Sequence, residues 1–365
     1  MKTQNLALIS ISVGMLSSIL HPTISIAQPK YKTFLEWCNN QQNISDDAKR
    51  TVQKLLKTAS TNDCQQASTS LLKLTQLDLV DREIKNIEPI ADFVNLQSID
   101  LSESAVVDLQ PLAELVNLQS ISISRTSVSD LQPLAKLTKL KQVSAAETPL
   151  SNIQPLANLT NIEFLNLSKS KVVNIEPLAK LTKLRIIFLE QTGVENLQPL
   201  ANLTNLSSLY LKKNKIGNLT GLNNLTNLKE LYLSENRIDN IQPLANLTNL
   251  QLLWLDSNQI DDLLPLTNLK KINFLILDKN KISNLEPLVD LNNLETLYLS
   301  NNKISNVKPL SKLVNLKTLL IRNNQISDIS SLVNLPKLEG IELNGNRFDK
   351  TESCPLAKPK ISCIY

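Results

Sequence analysis

The chain has 365 residues, with 38 basic and 34 acidic side chains, 42% hydrophobic residues, 4% aromatic residues, four cysteines and one histidine. A net charge of +4 gives no electrostatic reason to expect a nucleic acid or a membrane surface as partner. The lone histidine excludes Ser-His-Asp and Cys-His hydrolases and histidine-built zinc sites. Six scattered glycines form no phosphate-binding loop. The sequence therefore predicts a protein that is not an enzyme, with no catalytic residue, metal or cofactor.

Residues 1–27 have the pattern of a secretory signal peptide. Lys2 supplies the positive charge, Leu6 to Leu20 is an uncharged apolar run, and Ser25 and Ala27 are small residues at the −3 and −1 positions of a cleavage site. Cleavage near Ala27 would also remove the only histidine, His21. No other stretch approaches the ~18 apolar residues that span a bilayer. We expect a secreted or periplasmic chain without a membrane span.

A repeat of 22 residues is the strongest signal in the sequence. Twelve full repeats occupy residues 74–337 without an insertion, and a partial thirteenth begins the segment 338–365. Apolar residues open the repeats at Leu74, Leu96, Leu118, Leu140, Ile162, Leu184, Leu206, Leu228, Leu250, Ile272, Leu294, Leu316 and Leu338. Positions within a repeat are counted below from these residues.

Each repeat predicts a short strand followed by a tight turn. In the unit 228–249, LKELYLSENRIDNIQPLANLTN, the alternating leucines indicate a strand with one buried face. Proline occupies position 16 in ten of the twelve full repeats, where it suits a first helical residue. Asn or Asp stands three residues earlier in every full repeat and can form an Asx turn. Such units bury their leucines only when stacked, which predicts an α/β solenoid with a parallel ladder of strands.

The 22-residue unit with P-L-A-x-L-T-N resembles the leucine-rich repeat of internalin-type bacterial proteins over about 265 residues. The resemblance implies a horseshoe with parallel strands on the concave face, where such proteins generally bind another protein. It also implies asparagine at position 9. This chain instead has Arg82, then Ser or Thr up to Thr192, and asparagine only from Asn214 onward. Because a hydroxyl satisfies fewer backbone groups than an amide, we expect the N-terminal half to be less rigid.

Two caps are expected to cover the ends of the solenoid. Residues 28–73 predict a helical N-terminal cap, with one helix that starts after Ser45 and another that starts near Asp63. Residues 338–365 contain the partial repeat and a C-terminal cap. The two cysteine groups lie too far apart along the solenoid to bridge, so the expected disulfides are Cys38–Cys64 and Cys354–Cys363. A metal site is the rival interpretation, although the spacings lack C-x-x-C pairs. The cysteine-containing ends are similar to those of secreted cyanobacterial leucine-rich-repeat proteins.

Aromatic and apolar residues gather at positions 3 and 5, which the strand pattern places on the solvent-facing side of the sheet. Seven of the 13 aromatic residues lie there. An exposed apolar patch of this extent predicts an interaction site ringed by charges of both signs. The candidate partner-binding residues are Phe164, Ile186, Phe188, Tyr210, Tyr232, Leu252, Trp254, Phe274, Ile276, Tyr298 and Leu320.

The favoured hypothesis is a monomer that binds a protein partner through this patch, centred on Trp254. A module that binds carbohydrate or the cell envelope is the first alternative, because Trp and Tyr faces also stack on sugars. A purely structural envelope protein without a partner is the second. Tyrosine also suits a strand by propensity alone, so the individual tyrosines are weak evidence.

Overall fold

A computed structural model describes residues 31–347 of the chain and the backbone of the short strand Ser362–Ile364. The predicted signal peptide lies outside the described residues. So does Cys354, together with the bridge predicted between it and Cys363.

Three helices precede the first strand: α1 (Phe34–Asn39), α2 (Asp46–Thr58) and α3 (Cys64–Leu71). The two predicted helices are α2 and α3. The Ser45 side chain accepts the N–H of Ala48, and Asp63 caps α3 in the same way. Helix α1 was not predicted, although the T-x-x-E motif from Thr33 to Glu36 that begins it forms a complete capping box.

The N-terminal cap is joined covalently and by packing. The predicted Cys38–Cys64 disulfide is confirmed, with Cα atoms 5.7 Å apart, and it connects α1 to α3. The backbone N–H of Phe34 donates to the Asp92 carboxylate at 3.2 Å, and the Phe34 ring packs edge-on against Phe93 at 6.1 Å. These contacts fix the cap on the first repeat and cover the apolar end of the array.

The predicted parallel solenoid is confirmed. Each repeat contributes a three-residue strand, and each strand pairs in parallel with its successor at an offset of 22 residues. The first thirteen strands, β1 to β13 in chain order, are Gln76–Asp78, Ser98–Asp100, Ser120–Ser122, Gln142–Ser144, Phe164–Asn166, Ile186–Phe188, Ser208–Tyr210, Glu230–Tyr232, Leu252–Trp254, Phe274–Ile276, Thr296–Tyr298, Thr318–Leu320 and Gly340–Glu342. A further strand, β14 (Ser362–Ile364), extends the sheet beyond β13.

The return half of each repeat contains a short 3₁₀ turn, as the proline position predicts. The Asx turns are confirmed in all twelve full repeats. In the repeat of β8, for example, Asn240 Oδ1 accepts the N–H of Gln242 at 2.8 Å. Leucine and isoleucine side chains fill the interior between strands and turns, and most of them are completely buried. The core therefore runs unbroken through the array.

Position 8 carries an unpredicted feature, a left-handed backbone conformation. Its φ is positive from Glu103 (59°) to Asn323 (51°) in eleven consecutive repeats, although none of these residues is glycine. The turn directs the position-8 N–H toward the next repeat, so that the N–H of Lys213 donates to the carbonyl of Ser234 at 2.9 Å. Each such residue costs about 1–2 kcal/mol of local strain, which the inter-repeat hydrogen bond helps to offset.

Seven asparagines at position 9, from Asn214 to Asn346, form an internal spine. Asn258 is representative: its Nδ2 lies 3.0 Å from the carbonyls of Leu233 and Leu255, and its Oδ1 accepts the N–H of Ile238 at 3.0 Å. In the N-terminal half, Thr126 Oγ1 donates only to Ile123 O. The expected difference in hydrogen bonding between the two halves is therefore confirmed.

Candidate binding surface

Seven aromatic rings follow one another across strands β5 to β11 on the outer side of the sheet. We call this series the ring ladder; its members are Phe164, Phe188, Tyr210, Tyr232, Trp254, Phe274 and Tyr298. The parallel register produces it, because strands about 4.8 Å apart place the same repeat position on neighbouring strands side by side. Phe164 and Phe274 join the series from position 3, and the other five rings stand at position 5.

The rings contact each other along the whole series. Phe188 and Tyr210 stack with centroids 4.1 Å apart and an interplanar angle of 14°, and Tyr210 and Tyr232 stack at 4.4 Å and 13°. Trp254 is tilted against Tyr232 at 5.2 Å and nearly parallel to Phe274 at 6.1 Å. Aromatic pairs contribute about 0.5–1.5 kcal/mol each beyond their area burial. The ladder is therefore a self-supporting array.

Mutual stacking makes the ladder less exposed than the sequence pattern predicts. All seven rings are half-buried, so they present edges and tips to solvent while neighbouring rings cover their faces. Ile276 departs furthest from the predicted exposure, at 5%. It pairs with Trp254 on one side and Tyr298 on the other, and Phe274 contacts both of those rings. Ile276 thus lies among larger side chains and supports them.

The other three apolar candidates remain at the surface. Ile186, Leu252 and Leu320 are each half-buried on the same side of the sheet. Ile186 pairs with Phe164, Leu252 with Phe274, and Leu320 with Tyr298. Ten of the eleven candidate residues are therefore at least partly accessible and form one continuous strip.

The two central tyrosines differ in their polar contacts. The Tyr210 hydroxyl donates to Glu230 Oε2 at 2.9 Å, which joins β7 to β8 at the edge of the ladder. Burial is the main reason that the pKa of Tyr210 is raised well above its usual value, and the Glu230 carboxylate adds to the effect. The pKa of Tyr232 is also raised, again mainly by burial and then by the charge of Glu230. Both phenols are held in the neutral form.

Trp254 has an unused donor. Its indole N–H is buried and has no hydrogen-bond acceptor among residues 31–347. A buried donor without a partner carries a desolvation cost of about 1–3 kcal/mol. The ring is therefore positioned by packing rather than by a hydrogen bond.

Charged groups of both signs surround the ladder. Lys212 Nζ lies 3.2 Å from Glu235 Oε1, and Lys317 Nζ lies 2.7 Å from Glu295 Oε2. Asp256 accepts the hydroxyl of Ser234. The pKa of Asp278 is raised because its carboxylate is half-buried and because Asp256 lies nearby. The rim is therefore mixed in sign, as the sequence predicts.

No group of three or more His, Cys, Asp or Glu side chains among the described residues is arranged to hold a metal ion. None of the helices described above is long and apolar enough to cross a membrane.

Comparison with known proteins places the repeat in a family. The family model of leucine-rich repeats in two copies matches residues 226–271 and 314–356. The structure is similar to that of the internalin InlF from Listeria monocytogenes, with a TM-score of 0.79, 29% sequence identity, and coverage of 85% of this chain and 92% of the other. The chain has the leucine-rich-repeat fold of the internalins.

Two further solved structures share the fold of this chain. The functional domain of InlJ from Listeria monocytogenes has a TM-score of 0.70 and 19% identity, and the match covers 81% of this chain and 63% of that one. A leucine-rich-repeat protein of Leptospira interrogans has a TM-score of 0.65 and 20% identity, with coverage of 92% and 99%. No curated protein sequence matches the chain.

Proposed function

We propose that this chain is a secreted, non-enzymatic interaction module that binds a protein partner through the ring ladder, with Trp254 at the centre. The observation that carries the proposal is the unbroken contact of seven rings on an open sheet face. Rings held by their neighbours lose little side-chain entropy when a partner binds, so more of the contact energy appears as affinity. Trp and Tyr are also the residue types that most often dominate protein interfaces.

The geometry favours a protein over a carbohydrate as the ligand of the ladder. A sugar ring stacks on a free aromatic face, and the faces of Tyr210 are covered by Phe188 and Tyr232. Ring edges and hydroxyl tips are what remain for a ligand, and an irregular protein surface can pack against them. The mixed rim charges, such as the Lys212–Glu235 pair, also suit a protein with charges of both signs.

Crosslinking in the secreted fraction tests the proposal. A photo-reactive amino acid replaces Thr296, which lies half-buried between Phe274 and Thr318 in the position-3 row and is not itself a ring. We expect a discrete protein adduct. In the double variant Trp254→Ala, Tyr232→Ala the adduct should disappear, because losing hot-spot side chains costs about 2 kcal/mol or more each.

The matched control is Leu264→Ala. Leu264 is 64% exposed, the most exposed large apolar side chain of the described residues, and it lies in a 3₁₀ turn away from the ladder. This variant should retain the adduct. An adduct that survives the double variant, or that is lost equally in Leu264→Ala, would argue against the ring ladder as the binding surface. Absence of any adduct would favour a purely structural role.

Secretion is tested separately by sequencing the N-terminus of the exported protein. We expect it to begin near Gln28. An intact N-terminus on protein retained in the cell would contradict the signal-peptide hypothesis. Light scattering of the exported protein should give the mass of a monomer.

A further inference from the structure

A second, chemically different depression lies on the same side of the sheet as the ring ladder. It is a groove of about 440 Å³ that reaches from β3 to β6, where Phe188 forms its end. This volume falls in the range of about 300–1,000 Å³ of small-ligand sites. We call it the serine groove. Its lining includes Ser122, Ser124, Asn166, Ser168, Phe188 and Glu190.

The groove exists because the solvent-facing side chains change in size along the array. Position 5 carries Ser122 and Ser144 before the aromatic row begins, and position 7 of the same repeats carries Ser124 and Ala146. Small side chains form a low floor beside the tall ring of Phe188. The floor is polar: Ser124 and Ser144 hydroxyls lie 2.8 Å apart, and Ser124 Oγ also accepts the N–H of Ala146.

The charged side chains in the wall of the groove form ion pairs with one another. Arg125 contacts Glu103 at 2.7 Å and Glu147 at 3.6 Å, and Lys169 contacts Glu147 at 3.0 Å. All four side chains are exposed to similar degrees and satisfy one another. An anionic ligand would have to break these pairs to reach Arg125 or Lys169, so the wall disfavours an anion.

Two groups at the Phe188 end are left with unused hydrogen-bonding capacity. Asn166 Oδ1 accepts the N–H of Ser168 at 3.1 Å, while its Nδ2 donates to no group within residues 31–347. The Glu190 carboxylate makes no hydrogen bond or ion pair in that same range, although its backbone N–H donates to Ser168 Oγ at 3.2 Å. A free amide donor thus lies beside a free carboxylate acceptor and several hydroxyls.

We propose that the serine groove binds a neutral saccharide, with Asn166 as donor, Glu190 as acceptor and the serine hydroxyls as adaptable partners. Sugar hydroxyls both donate and accept, which matches a site built of serines beside one amide donor and one carboxylate acceptor. Hydrogen bonds to a charged acceptor are the stronger ones, so Glu190 should contribute most. The site uses no ring stacking, and Phe188 is the one lining residue that it shares with the ring ladder.

The test starts with the purified full chain on a glycan array that carries neutral and acidic oligosaccharides. The neutral trisaccharide with the strongest signal is then measured by calorimetry. Glu190→Gln and Asn166→Asp should each weaken its binding about tenfold, since the first replaces a charged acceptor with a weaker neutral one and the second removes the amide donor. Asn166→Asp preserves the local fold, because Asp100 at the same repeat position accepts the corresponding N–H, that of Ser102, at 2.8 Å.

Trp254→Ala is the control, and it should leave saccharide binding unchanged while it weakens a protein partner. Binding to acidic glycans only, or to none, would overturn the saccharide site. So would neutral binding that is lost in Trp254→Ala but kept in both groove variants, which would place the sugar on the ladder. Binding of acetyl-(Gly-Ser)₃-amide in place of any glycan would instead identify a peptide site.

Discussion

The side-chain oxygen of Asn214 accepts the backbone N–H of Gly193 at 2.8 Å, and the hydroxyl of Thr192 lies 3.0 Å from the same oxygen. The hydrogen bonding of the position-9 side chains changes at this junction. Before it, hydroxyls at position 9 bond locally, and after it every asparagine bridges two repeats. The ring ladder crosses this junction, since Phe188 stands before it and Tyr210 directly after.

Amide exchange should differ on the two sides of this junction. Backbone N–H groups in residues 74–191 are expected to exchange faster than those in residues 214–346, because fewer inter-repeat bonds must break for local opening. Hydrogen–deuterium exchange read by mass spectrometry checks this repeat by repeat. Slower exchange in the N-terminal half would contradict it.

Replacing one spine asparagine with threonine, a residue found at position 9 of the N-terminal repeats, should reproduce the weaker hydrogen bonding of those repeats. Asn258→Thr keeps the local bond to Leu255 O, leaves the N–H of Ile238 without its acceptor, and removes one of the two amide donors to the carbonyl of Leu233, where Asn236 remains. We expect the free energy of unfolding to fall by about 1–3 kcal/mol. Urea denaturation measures it. Thr148→Ser is the control, because it retains the hydroxyl and should change stability by less than about 1 kcal/mol; equal losses in both variants would argue against a role of the amide.

Gly221 should not tolerate a side chain. It replaces the usual proline, and a Cβ added there would lie 2.1 Å from the carbonyl oxygen of Leu197 in the preceding repeat. Because backbone rather than a flexible side chain would have to move, Gly221→Ala should lower stability by about 1–3 kcal/mol. Gly217→Ala is the matched control, since its nearest contact would be an ordinary 3.7 Å from Arg237 O. Thermal denaturation of the two variants checks the difference, and equal melting temperatures would contradict it.

Asp92 should make the attachment of the N-terminal cap depend on pH. Burial raises the pKa of Asp92, with an opposing effect from the N–H of Phe34. A carboxyl whose folded pKa exceeds its unfolded value of 3.8 stabilises the fold below that pH and loses this contribution as pH rises through the folded pKa. Asp92→Asn mimics the protonated group, so it should be more stable than the wild type at neutral pH.

The difference between Asp92→Asn and the wild type should shrink to nothing as pH falls below 3.8. Asp92→Ala, which lacks the acceptor for Phe34, should be less stable than Asp92→Asn at every pH. Unfolding free energies across the acidic range test this. A wild type more stable than Asp92→Asn at neutral pH would show that the ionised carboxylate helps the fold.

Tyr210 should contribute an alkaline loss of stability. Its pKa is raised above the usual 10.0, first by burial and then by the bond to Glu230, so its stabilising effect is complete below pH 10.0 and is lost above it. Tyr210→Phe cannot ionise and should lose less stability between neutral and strongly alkaline pH than the wild type. Unfolding curves give the comparison, and ultraviolet absorbance of the phenolate should show delayed ionisation in the folded protein. Identical alkaline profiles would contradict it.

The fold was predictable from the sequence because its causes are local and repeated. Leucine alternation fixes each strand, proline opens ten of the twelve turns, and Asn or Asp caps every turn, so the same short arguments apply along the whole array. The left-handed residues at position 8 escaped prediction for a physical reason. Side chains as different as Glu103, Arg125 and Lys169 occupy that conformation, and only an asparagine such as Asn301 carries a local signal for it.

The sequence predicts which residues lie on the candidate surface, but it does not predict how exposed each of them is. Repeat position tells which side of the sheet a residue faces, and it correctly brings the seven rings together. It does not tell how large neighbours cover a smaller residue, which is why Ile276 was expected at the surface and is buried. The serine groove was not predicted for the same reason, since this depression depends on the difference in side-chain size between Ser122 and Phe188.

The uninterrupted 22-residue offset also separates the residues of the candidate binding surface from the residues that stabilise the fold. Core leucines, Asx turns and spine asparagines repeat almost unchanged. The solvent-facing side chain at position 5, in contrast, differs from strand to strand. Tyr232 could become another residue without disturbing Leu231 or Leu233 behind it, both of which are fully buried. The outer face can thus diverge one strand at a time, and chains with nearly the same interior can acquire unrelated ligands.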